Sequence, residues 1–144
     1  MRGEEPSRYE YHKKKGELSR MAENICLMLT QSDTHNVLVR VLSLAAAAVD
    51  LHQRTVLYVG GRWTDLARVG VLEQHERVLK PIYQGLSVLE LFRHFQNAGG
   101  QLWVSSSDAQ GQGPDKRALI GGVTFVDEKT LLTFLTQGTV DLNF

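Results

Sequence analysis

Leu102-Trp103-Val104-Ser105-Ser106-Ser107-Asp108 is the stretch on which the reading of the fold turns, because an apolar run stops abruptly there in three hydroxyls and a carboxylate. Read as a buried strand, it places its polar end at the carboxyl edge of a sheet, where open α/β proteins bind their ligands. Working outward, the segment just before it is an amphipathic helix. Val88, Leu91, Phe92, Phe95 and Ala98 share one stripe, Glu90, Arg93, His94 and Asn97 lie outside, Ser87 stands at the cap and Gly99-Gly100 closes it. A helix feeding a strand is half of a βαβ unit, so the rest of the chain is expected to repeat that alternation.

It does so upstream. Ile25-Cys26-Leu27-Met28-Leu29 is continuously apolar over strand length, as in a strand covered on both faces. Thr30 and Gln31-Ser32-Asp33-Thr34 follow, with Ser32 or Asp33 placed to cap a helix from about Asn36 to Leu51. That helix shows only the narrow polar stripe Arg40, Ser43 and Asp50, so a second helix or subunit must cover what the sheet does not. Thr55 to Val59, ending at Gly60-Gly61, is the second strand, parallel to the first. Arg62 to Asp65 then leaves the sheet at its carboxyl edge, and Leu66 to Leu79 is one or two helical segments broken at Pro81.

Downstream, the expectation is a flexible link over Asp108 to Gly113 and a short helix from Pro114 to Leu119, stopped by Gly121-Gly122. Val123 to Val126 is extended, Asp127 caps a helix over Leu131 to Leu135, and Val140 to Phe144 alternates as an edge or late strand does. The predicted architecture is a three-layer α/β/α sandwich with a mainly parallel sheet of about five strands. Residues 21 to 144 form the single domain and 1 to 20 an N-terminal extension, either solvated or loosely helical, with Lys13 to Lys15 as the one feature suited to a basic contact arm.

Composition limits the function. The 144 residues include 16 basic and 16 acidic ones, so no net field draws in nucleic acid or an anionic membrane. The longest apolar run, Leu44 to Val49, is too short to cross a bilayer and the N-terminus has no apolar signal core, which together lead to the expectation of a cytoplasmic protein. One cysteine, Cys26, excludes an internal disulfide, and its mid-strand setting makes it a core thiol rather than a nucleophile. The histidines at 12, 35, 52, 75 and 94 lack the spacing of helical metal ligands, so neither metal nor cofactor is expected. Gly111 to Arg117 has glycines and cations but lacks the rest of any phosphate motif.

The residues that converge on the predicted crevice are Gln31, Asp33, His35, Arg62, Ser105, Ser106, Ser107 and Asp108. A nucleophilic serine there would need a histidine brought by the fold, and His35 is the candidate; the simpler reading is that the serines end the strand and cap the turn.

The order of these pieces resembles the DsrE/DsrF-like family of small sulfur-relay proteins over about residues 24 to 144. The resemblance rests on Ile25 to Thr30 with the alanine-rich helix after it, Thr55 to Gly61, Val88 to Val104, Lys116-Arg117-Ala118-Leu119-Ile120-Gly121-Gly122-Val123-Thr124-Phe125-Val126, Leu131 to Leu135 and the terminal strand. It implies a five-stranded sheet between helices, homotrimers or homohexamers, and a cysteine after the third strand that carries persulfide sulfur between partner proteins. Here Ser105 to Ser107 occupy that segment and no cysteine lies downstream of Cys26. Sulfur passes by attack of a thiolate on sulfur, so the family's usual route lacks its reacting atom. The expectation is an oligomeric binding or scaffold protein without sulfurtransferase activity. The alternatives are a persulfide carrier using Cys26 and a structural subunit of a hetero-oligomeric sulfur-relay complex.

Overall fold

The computed structural model describes residues 24–51, 54–113 and 117–144. The N-terminal extension and Pro114, the proposed start of a short helix, lie outside those residues. Five strands form one all-parallel sheet: β1 (Asn24–Leu29), β2 (Arg54–Val59), β3 (Gln101–Ser105), β4 (Val123–Val126) and β5 (Thr139–Asn143), in the order β4-β3-β2-β1-β5. Five α-helices connect them: α1 (Asn36–Val49), α2 (Val71–Leu79), α3 (Val88–Asn97), α4 (Ser106–Gly111) and α5 (Glu128–Leu135). A 3-10 helix, Gly61–Ala67, leads out of β2.

Apolar patterning decides which side each helix covers. Leu27, Leu29, Leu57, Val59, Leu102 and Val104 face one way and pack with Leu38, Leu42, Trp63, Leu72, Phe92 and Phe95 from the helices of that side. Cys26, Val56, Tyr58 and Trp103 face the other way, onto Leu131 and Phe134 of α5. The chain steps from β1 to β4 in one direction and then returns to place β5 beyond β1. Parallel crossovers keep a single hand, so the reversed step puts α5 on the opposite face from the earlier helices. Among the described residues, one layer is therefore thick and the other is the short helix α5.

Three local expectations are corrected. Residues 117–120 are not helical and Leu119 is bridged antiparallel to Arg68, so no helix reaches Leu119. Helix forms earlier, over α4, which starts before the span predicted as a flexible link and runs into it, because the Ser105 hydroxyl accepts the Asp108 amide and caps it. Neither Ser32 nor Asp33 caps α1: the cap position is His35, in helical conformation and without a side-chain bond, and Ser32 Oγ instead takes the Thr34 amide at 3.5 Å. α3 does begin at Ser87, whose hydroxyl accepts the Glu90 amide. Its His94 bonds Asp50 at 3.0 Å rather than the neighbouring Glu90.

Candidate functional site

The carboxyl ends of β1, β2 and β3 bring together the three segments singled out from the sequence, and the bonds among them show what each side chain does. After β3, Ser105 caps α4, Ser106 Oγ donates to the Val126 carbonyl at 2.7 Å, and Ser107 Oγ donates to Glu128 Oε2 at 2.9 Å. Asp108 Oδ2 accepts the Gly61 amide at 2.7 Å. These bonds clasp the end of β3 to the ends of β2 and β4 and to the start of α5. The clasp needs close approach at the β2 end: a Cβ on Gly60 would lie 2.9 Å from Asp108 Oδ2, and Gly61 has φ +59°. Glycine occupies both positions because a side chain would displace the carboxylate or strain the backbone.

The β1–α1 loop is fastened from the other side. Arg62 Nη1 donates to the Asp33 carbonyl at 3.1 Å and Trp63 Nε1 donates to the Ser32 carbonyl. Gln31 and Thr30 donate their backbone amides to the carbonyl of Phe144, at 2.8 and 3.1 Å. The Gln31 and Asp33 side chains are exposed. His35 bonds His75 of α2, Nδ1 to Nδ1 at 2.7 Å, instead of activating a serine. His75 is buried, and burial, followed by the charges of His35 and Arg62, holds its pKa below the ordinary 6.5.

Cys26 lies in the middle of the sheet with 0% exposure, between Val56 and the edge residue Asp141. Burial, with the Asp141 carboxylate adding to it, pushes the thiol up to about 12, so it is protonated at neutral pH. Among the described residues no three His, Cys, Asp or Glu side chains converge as metal ligands would, and no helix is long and apolar enough to cross a membrane.

Among the described residues this edge also carries open space beside the β1–α1 loop. A cavity of about 730 Å3 runs between the β1–α1 loop, the outward side of α1 and the C-terminus, lined by Ser32, Thr34, Asn36, Arg40, Tyr83 and Phe144 among others. It sits where β5 joins β1, the point at which strand order reverses and ligands enter open α/β sheets. Arg40 and Ser43 were visible in the sequence as the polar stripe of an otherwise apolar helix, and that stripe is one wall of the cavity. Tyr83, Phe144 and His75 gave no such signal, since each is isolated in sequence and is brought in by a distant element.

No protein-family model and no curated protein matches the sequence. Several solved structures are similar, two of them as follows. The ychN protein from E. coli is 16% identical, with a TM-score of 0.63, over 85% of this chain and 99% of that one. MTH1491 from Methanobacterium thermoautotrophicum, a protein of unknown function, is 14% identical, with a TM-score of 0.57, over 84% and 98%. At such identities the likeness concerns the fold alone, an α/β domain with a parallel five-stranded sheet.

Proposed function

We propose that this chain is an oligomeric binding or scaffold module on a DsrE-like fold, without thiol-based sulfur transfer. The observation that carries the reading is the state of the one cysteine: Cys26 is fully buried and its thiol is pushed up to about 12, while the segment after β3 holds serines. Sulfur relay needs a thiolate that a partner's sulfur can reach, and a hydroxyl does not replace it. The serine hydroxyls are also committed to bonds that clasp the sheet. The position for a bound small molecule or partner segment accordingly moves from Ser105 to Asp108 to the cavity beside the β1–α1 loop.

Self-association is part of the proposal. Val140 and Leu142 on the edge strand β5, Leu44 on α1 and Leu51 just beyond its end are exposed apolar residues, suited to contact with further copies in a homotrimer or homohexamer. Other sulfur-relay proteins are partners of the alternative, hetero-oligomeric arrangement.

The test is to incubate the native protein with a polysulfide donor and measure its intact mass, beside native and denatured thiol labelling. Unmodified protein, with Cys26 labelled only in denaturant, is the expected result; a persulfide formed on the folded protein overturns the reading. Sizing of the purified chain addresses the assembly, and a monomer at all concentrations removes that part.

A further inference from the structure

A second cavity, of about 360 Å3, opens on the α5 face of the sheet beside Arg54, the first residue of β2, and shares no residue with the one above. Among the described residues its wall contains Arg54 and Lys129 with Trp103, Phe134, Thr133 and Gln137, and no acidic side chain. In a chain whose formal charges cancel, two cations around one hollow are a local excess.

Arg54 is already oriented. Its Nε donates to Gln101 Oε1 at 3.3 Å, and the guanidinium carbon lies 4.8 Å from the Phe134 ring centre and 5.5 Å from that of Trp103. Two rings and one hydrogen bond hold the guanidinium beside the cavity, which lessens the ordering required when a ligand binds. Trp103 itself is only 5% exposed, and its indole N–H has no acceptor among the described residues. Native proteins rarely leave a buried donor unmet.

We propose that this cavity binds a small organic carboxylate, with its oxygens on Arg54 and Lys129 and its apolar body against Trp103 and Phe134. The guanidinium fork matches the planar carboxylate in two parallel bonds, and the volume suits a small molecule. A cation is disfavoured by two like charges, and a neutral apolar ligand would strip water from those charges without compensation.

The chain has two tryptophans, so an 15N-labelled sample of the full chain gives two indole N–H resonances, separable with Trp103→Phe. Benzoate is expected to move the Trp103 resonance in a saturable way and leave Trp63 in place, whereas benzamide, with the same shape and no charge, moves neither. Arg54→Gln and Lys129→Gln should each weaken benzoate by about tenfold or more. Lys129 is exposed on α5, so its substitution leaves a folded protein even if that of Arg54 does not. The proposal is overturned if benzoate leaves Trp103 unmoved, if benzamide moves it as strongly, if Lys129→Gln binds benzoate as tightly as the parent, or if inorganic phosphate shifts Trp103 and benzoate does not.

Discussion

His35 and His75 face each other with their Nδ1 atoms 2.7 Å apart, joining the start of α1 to the middle of α2 across 40 residues of sequence. One bond between two imidazole nitrogens needs one proton, so one ring donates and the other accepts. A second proton turns the bond into a repulsion. The neighbouring Arg62 adds like charge, and the Trp63 ring packs 5.5 Å from that of His75.

This contact makes stability depend on pH with a definite sign. The folded-state pKa of His75 lies below 6.5, so the unfolded chain binds the proton more readily. Stability is full above the unfolded value and is lost as pH falls through 6.5 toward the folded pKa. Urea midpoints measured on either side of pH 6.5 should fall on the acidic side. His75→Phe should flatten that slope, and an unchanged slope would show that the acid sensitivity arises elsewhere.

Gly60→Ala should destabilise the protein by roughly 1–3 kcal/mol, because its Cβ meets Asp108 Oδ2 at 2.9 Å and Thr30 Cγ2 at 3.1 Å. The cost should shrink in an Asp108→Ala background, where the carboxylate is gone. A double-mutant cycle by denaturant unfolding measures that coupling, and additive effects would count against the clasp.

Thr55→Val should raise stability by about 1 kcal/mol. Thr55 is buried in β2 and its hydroxyl has no partner among the described residues, while valine has nearly the same shape and suits a strand. Calorimetry that finds a lower Tm would imply a partner for that hydroxyl.

Glu76→Ala should cost about 1–3 kcal/mol through α3 rather than α2. The Glu76 carboxylate accepts the Ser87 hydroxyl and the Val88 amide, each at 2.8 Å, at the point where α3 begins. Amide exchange should rise first in the opening turn of α3, and uniform loosening of the domain would contradict this local role.

The sequence by itself determined the fold class, because burial on both faces writes continuous apolar runs into β1, β2 and β3, and glycines or serines mark their ends. It determined the capping of α3 by Ser87 and of α5 by Asp127, since a cap bonds within its own first turn. It also placed Cys26 in the core. Only the tertiary structure decided the rest. α4 replaced a predicted link because Ser105 caps it and the following residues are held at Arg68, a partner far away in sequence. The serines after β3 proved to be clasps because their acceptors, Val126 and Glu128, come from β4 and the start of α5. One cavity falls beside Phe144 because β5 returns to the far side of β1. Periodicity and capping act over a few residues and are therefore written locally; a hydrogen-bond partner or a cavity wall belongs to whichever distant element the topology brings there.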